Sequence, residues 1–380
     1  MQDHKPYRRL AYIDLLRGWA VIIMIETHVV NALLLPEYRT QTPFAILTFF
    51  NGLVAPSFLF CAGFALAITL SRKWNDYLQL KFSFWRYLIR LLFILIVGYS
   101  LHLPAFSLRK MLTVTDPHRW QLFFQSDILH VISLTLLFAV LLAVIMRSRR
   151  IYDTILAIIT ASVIFLAPVV RGLDYSNTPI WLRSYFSIQY SSQFPLFPWS
   201  AFLLAGLLIG NWIQQRQDLL PALSLQSRLG VASITAIVVS LIAAFAPVTF
   251  YPNYNFWNAS PEFFFVRLGI VCLLLVVCWL MESRPQGILR KAVILFGTES
   301  LLVYVVHLLL IYGHTYKFSL IRLFGKTLTY TECFLLSFGL IALMYLLALV
   351  WSSVKRWNKR IANIVQYATL AGIVIRFLVE

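Results

Sequence analysis

Residues 9–33 read RLAYIDLLRGWAVIIMIETHVVNAL, and this stretch decides how the rest of the chain is understood. As a helix rising about 1.5 Å per residue, its apolar part is long enough to cross a hydrocarbon core of about 30 Å. Basic residues precede it and no small-residue cleavage motif follows. It is therefore expected to be a first spanning helix, not a removed signal peptide. Yet it carries Asp14, Arg17, Glu26 and His28. Ionisable side chains inside a membrane are costly unless they face other protein groups, so this helix is expected to be surrounded and functional.

Working outward, apolar runs of similar length recur at 46–70, 87–103, 125–146, 151–170, 195–213, 229–247, 262–281, 289–312 and 331–354. The tail 361–380 is either an interfacial helix or an eleventh span containing Arg376. Of the 380 residues 60% are hydrophobic and 12% charged, about half the charged share of a soluble domain. The expected fold is all-α, a polytopic membrane protein with about ten transmembrane helices. Residues 1–354 form one transmembrane domain, followed by a basic cytoplasmic segment at 355–380.

The net charge of +17 comes from 32 Lys and Arg against 15 Asp and Glu. In a soluble protein that excess would point to nucleic acid; here no nucleic-acid motif accompanies it, and it follows the loops. One alternating set of connections, from Lys5, Arg8 and Arg9 to Lys355, Arg356, Lys359 and Arg360, holds nineteen positive residues. The other set, including Arg39, Arg109, Arg171, Arg183 and Lys317, holds nine. This bias places the N-terminus in the cytoplasm. The opposite loops, 104–124, 171–194 and 248–261, are rich in aromatics, Asn, Ser and Pro, as suits either lids over an outer site or interfacial belts. Cys61, Cys272, Cys278 and Cys333 lie within apolar runs at spacings that match no metal or redox motif.

The ionisable residues of the spans sort by depth. Arg17 and His28 are eleven residues apart, which leaves them only about 20° apart on one helix face and roughly 16 Å apart along it. Asp14, three residues before Arg17, is placed to pair with it. Asp127 and His130 open the fourth span, and Glu299 and His307 lie on the ninth. Arg86 and Arg90 sit one turn apart at the inner start of the third. Basic groups thus gather inside, with carboxylates and imidazoles further out. Guanidinium groups hold phosphates well, and an imidazole can take a proton from an attacking hydroxyl or amine. Blander uses stand beside these: Arg86 and Arg90 as interfacial anchors, His130 as a helix-bonding residue, and Asp14 with Arg17 as a structural pair.

These residues also carry a resemblance. Arg17 and His28 reproduce the Arg, ten residues, His pattern found on the first helix of acyltransferase family 3 enzymes. IDLLRG followed by Glu-Thr-His is closer to the family named for the catalytic domain of heparan-α-glucosaminide N-acetyltransferase, whose bacterial members show Ile-Asp-x-x-Arg-Gly and then Asp-His. FNGLVAPSFLFCAGFALAI (50–68), SDILHVISLTLL (126–137), FPLFPWSAFLLAGLLIG (194–210) and LFGTESLLVYVVHLLLIY (295–312) resemble later helices in the same order. In the heparan enzyme a His precedes the second helix; the corresponding stretch 31–50 here has none, so that role falls on His28.

The resemblance implies acetyl-CoA as donor, no metal, and a glycan or glycoconjugate acceptor at the outer face of a bacterial inner membrane. His28 is the expected base, oriented by Asp127 or Glu26, with His130, Glu299 and His307 as further catalytic candidates. Arg17, Asp14, Arg86 and Arg90 would serve the coenzyme. Membrane lipid and a second copy of the chain are the other expected partners, and nucleic acid is not. The competing reading is a transporter or flippase, for which intramembrane charges and paired broken helices are normal. The charge bias makes a direct prediction: single cysteines placed in 171–194 will react with an impermeant reagent on intact cells. Labelling at 147–150 instead would show the chain to be inverted.

Overall fold

The computed structural model describes residues 10–246, 251, 255–257, 259–285, 287–313 and 318–379. Lys5, Arg8, Arg9, Lys317 and much of the loop 248–261 lie outside that set. The chain is all-α: among the described residues the one β-type pairing is an isolated bridge between Leu34 and Leu328. In chain order the helices are α1 (Ala11–Leu33), α2 (Thr42–Asn51), α3 (Val54–Leu78), α4 (Phe82–Ser100), α5 (Leu108–Leu112) and α6 (Pro117–Phe123). Then come α7 (Ile128–Met146), α8 (Arg149–Gly172), α9 (Ile180–Arg183), α10 (Leu196–Arg216), α11 (Ala222–Ala244) and α12 (Pro261–Leu280). The last are α13 (Ile288–Thr298), α14 (Ser300–Tyr312), α15 (Leu320–Phe324), α16 (Tyr330–Trp357) and α17 (Lys359–Val379).

Among the described residues nine helical stretches are long and apolar enough to cross a membrane, or up to ten if α13 and α14 together make one span. The protein is a multi-pass membrane protein. Two details of the spans differ from the sequence reading. The second run is broken at Gly52–Leu53 into α2 and α3. The ninth is bent by 81° between α13 and α14, where Glu299 leaves helical geometry at φ −103 and ψ 20. The tail is one continuous helix, α17, apolar enough to span. α1, with its four ionisable residues, is not among the nine.

Two compact units emerge, one from the segment ending at Val54 with Cys272–Asn363, the other from Ala55–Val271 with Ile364–Glu380. In the first, α1 is the central element, packed on α13, α14 and α16. Enclosure is what makes its charges tolerable, since protein rather than lipid surrounds them. Tyr12 stacks on Trp279 at 4.9 Å and 17°. At the far end of α1, Leu35 N–H donates to Leu328 C=O at 2.9 Å and Leu328 N–H to Leu33 C=O at 3.0 Å. That extended link leads into α16, which Thr329 and Glu332 start with a capping box. In the second unit α10 packs on α7 and α8, and α4 on α7.

Each unit relies on the same close approach of backbones. A Cβ at Gly18 would collide with the Val293 carbonyl, and one at Gly297 with the Asp14 carbonyl. In the second unit the corresponding collisions join Gly63 to Leu203 and Gly206 to Phe60. Small residues let membrane helices approach until van der Waals packing holds them, because lipid offers no hydrophobic drive between helices. Gly297→Ala should therefore cost about 1–3 kcal/mol by overpacking. Gly339→Ala, where a Cβ meets nothing within 4 Å, should be neutral. Thermal melts of the two variants in detergent test this, and equal melting temperatures would refute it.

Candidate active site

The break between α13 and α14 organises the polar groups of the first unit. With α1 and α13 in backbone contact, Arg17 Nη1 reaches the Gly297 carbonyl at 3.3 Å and Asp14 Oδ1 at 3.8 Å. Gly297 lies in the last turn of α13, where carbonyls lack intrahelical partners, so the guanidinium satisfies one of them. Both contacts use Nη1, and the side chain keeps 21% of its surface, so they do not consume the whole guanidinium fork. At the break itself Glu299 is buried and held by Lys355 of α16, with Nζ 2.6 Å from Oε2. Lys355 had counted only as an inner positive residue in the sequence.

Further along α1, His28 meets His307 of α14 with ring centroids 5.2 Å apart and planes at 51°. His28 Nδ1 lies 3.2 Å from the Tyr312 hydroxyl. His307 is fully buried, and its Nδ1 stands 2.7 Å from the Val303 carbonyl, i,i+4 along the helix. A carbonyl only accepts, so Nδ1 carries the hydrogen and the neutral ring keeps its lone pair on Nε2. That Nε2 is buried with no hydrogen-bond partner among the described residues. Glu26, also on α1, is met by the Asn51 side chain of α2, while its Oε1 is buried without a partner among the described residues. Arg39 folds back onto the end of α1, donating to the Asn31 carbonyl at 2.8 Å and the Leu34 carbonyl at 3.4 Å.

Asp127 and His130 belong to the second unit, where their first task is local. The Asp127 carboxylate accepts from Ile128 N–H and the Asp127 N–H donates to His130 Nδ1 at 3.2 Å, closing a capping box at the start of α7. Here Nδ1 is the acceptor, so Nε2 carries the hydrogen, the opposite tautomer to His307. That Nε2 too is buried and unpartnered among the described residues. His102 Nε2 lies 3.5 Å from Asp127 Oδ2, and Gln125 Nε2 is 2.6 Å from His102 Nδ1. The Tyr99 ring stands edge-on to His130 at 4.2 Å, and its hydroxyl is 2.8 Å from that of Tyr185. Burial and that contact push the Tyr185 hydroxyl well above its ordinary pKa, keeping it protonated. Arg86 and Arg90 are exposed on α4, Arg86 4.5 Å over the Phe82 ring.

Of the residues singled out in the sequence, the structure thus joins Asp14 to Arg17, His28 to His307, and Asp127 to His130. Tyr312, Arg39, Asn51, Lys355, His102 and Gln125 were missed. His102 had a signal, an imidazole at the very end of the third apolar run; the others depend on helix neighbours that no local pattern discloses.

Comparison with curated protein sequences finds no match. Among families, the one described as heparan-alpha-glucosaminide N-acetyltransferase, catalytic, matches residues 9–243, which includes α1 with Arg17 and His28 and ends within α11. Of the two resemblances drawn from the motifs, this is the one the match carries. An enclosed, charged first helix whose His28 pairs with His307 of α14 and a family match over more than half the chain lead to one statement: the chain belongs to the heparan-α-glucosaminide N-acetyltransferase catalytic family, a family of membrane acetyltransferases.

Proposed function

We propose that this protein moves an acetyl group from cytoplasmic acetyl-CoA to a hydroxyl or amine of a glycan or glycoconjugate at the outer face of a bacterial inner membrane. The observation that carries this reading is the imidazole pair formed by His28 of the enclosed helix α1, half-buried, and His307 of α14, fully buried beside it. His28 acts as the base. Tyr312 orients it through Nδ1, so that Nε2 receives the proton of the attacking hydroxyl or amine. The nucleophile forms its bond to the thioester carbonyl carbon, the carbon–sulfur bond breaks, and the coenzyme leaves as a thiolate. The lone pair of His307 favours the cation that forms on His28. Glu26, Asp127, His130 and Glu299 remain candidates for supporting roles. Arg17, steadied by Asp14, is assigned to a donor phosphate; Arg86 and Arg90, in the second unit, are separate candidates for the same role. The distance along α1 from Arg17 to His28, about 16 Å, suits a pantetheine arm between them.

The bent pair α13 and α14 with its Glu299–Lys355 ion pair is the feature that favours a transporter instead. Transporter sites of that kind use broken helices at corresponding positions in two halves. Among the described residues one such bent pair is found.

Turnover with acetyl-CoA by the purified chain separates the two readings. His28→Ala should lower it by about 10²- to 10⁴-fold, the usual contribution of a general base. The variant should keep the wild-type melting profile. Wild-type turnover in folded His28→Ala would remove His28 from the chemistry. Arg17→Ala should weaken coenzyme binding about 10- to 150-fold if its guanidinium holds a phosphate. A folded Arg17→Ala variant with unchanged affinity would reduce Arg17 to its role at Gly297.

A further inference from the structure

A polar cavity of 310 Å³ opens within the second unit, walled by the last turns of α3 and α10 and the first turn of α8. None of the candidate catalytic residues lines it. Its construction begins with the loss of helical geometry at Lys73, φ −119 and ψ 20, near the end of α3. Arg149 Nη2 binds the carbonyls of Leu70 at 3.4 Å and Ser71 at 3.2 Å just before that kink. Its guanidinium lies 5.1 Å over the Trp74 ring, which in turn meets Tyr152 edge-on at 5.6 Å. Arg149 and Trp74 thus form a rigid wall.

The lining carries Arg72 and Arg149 against Asp153 and Asp218, so its hydrogen-bond donors rather than a net charge decide what it can hold. Asp153 is held by Asn211 Nδ2 at 2.7 Å and Gln215 Nε2 at 2.8 Å, so its carboxylate is already supplied with donors. The Gln214 amide is oriented by its oxygen, which accepts from Ser71 Oγ at 3.5 Å and Gln217 Nε2 at 3.3 Å. Gln214 Nε2 is left buried with no partner among the described residues. The Tyr152 hydroxyl is in the same condition, on a side chain that is 1% exposed. Buried polar groups are ordinarily paired, so two such orphans on residues that line one cavity call for an acceptor. Arg72 lines the same space, and Lys73, Arg147, Arg150 and Arg216 occupy the same helix ends, the set that the charge bias places in the cytoplasm.

We propose that this cavity binds a phosphate ester, whose oxygens accept from the Tyr152 hydroxyl, the Gln214 amide and Arg72. The space is that of about ten liquid waters, more than a bare anion needs and enough for a phosphate with a hydroxylated or heterocyclic substituent. Two sources share that chemistry. One is the phosphorylated end of coenzyme A, which rests on the donor reading above. The other is the headgroup of an anionic phospholipid, which is independent of that reading; basic pockets between helices on the cytoplasmic side are where such headgroups bind.

The test uses the full-length chain in nanodiscs and two probes. Calorimetry in phosphatidylcholine discs measures binding of 3′,5′-ADP. Native mass spectrometry of discs containing both phosphatidylcholine and phosphatidylglycerol measures which lipid stays bound. Tyr152→Phe keeps the ring and removes the donor, and Gln214→Ala removes the second donor without touching Tyr152. Each should weaken the bound probe by about tenfold or more, as expected for a lost hydrogen bond to a charged group. Melting temperatures of both variants should stay near wild type. Loss of 3′,5′-ADP binding identifies the coenzyme, and loss of phosphatidylglycerol retention identifies the lipid. Either supports the site. A wild type that binds neither probe, or folded variants that bind as wild type does, would overturn it. His28→Ala should keep probe binding whatever happens to transfer, so failure of the transfer reading and failure of this site are separately visible.

Discussion

The contact on which the first unit depends is the reciprocal meeting of Gly18 with Val293 and Gly297 with Asp14. It brings two helix backbones together along α1 and α13, and three consequences follow from that distance. Arg17 is short of lipid and within reach of the Gly297 carbonyl. The helix after Gly297 must turn away, which it does by 81° at Glu299. The turned segment, α14, then brings His307 and Tyr312 onto the C-terminal part of α1, where His28 stands. A side chain at either glycine would separate the backbones and move every one of these partners.

Much of this was legible in the sequence. Apolar run lengths set the fold class and most helix positions, because a hydrocarbon core imposes its thickness on every span. The same-face placement of Arg17 and His28 follows from helical period alone, and the neighbour relation of Asp14 to Arg17 from i,i+3 spacing. The break at Glu299 was not legible: LFGTESLLVYVVHLLLIY has no Pro and reads as one uninterrupted apolar helix. At the bend lie the backbone contact of Gly297 and the ion pair of Glu299 to Lys355, 56 residues away, and neither is visible in the local sequence. Asp127 and His130 show another limit: read in the sequence as catalytic candidates, in the structure they close a capping box at the start of α7.

The two buried histidines show how backbone geometry decides side-chain chemistry before any substrate is present. His307 lies inside a helix and donates back to the carbonyl one turn earlier; His130 sits at N3 and receives an amide hydrogen. The first ring is thereby left with a lone pair at Nε2 and the second with a hydrogen there. Residue type alone would treat them as equivalent, whereas their positions relative to a helix start make one an acceptor and the other a donor.

The break at Glu299 also redistributes the peptide dipoles. A continuous helix from Ile288 to Tyr312 would add its dipoles into one macrodipole with its poles at the two distant ends. Split between Thr298 and Ser300, it has an additional pair of poles in the middle: the partial negative end of α13 and the partial positive end of α14. Arg17 lies against the negative pole through Gly297, and the Glu299 carboxylate lies at the positive one, itself neutralised by Lys355. Four charges, two of them fractional, are therefore matched by sign within one turn of the bend. A single helix without the bend would have left Arg17 beside a midsection with no pole to meet it.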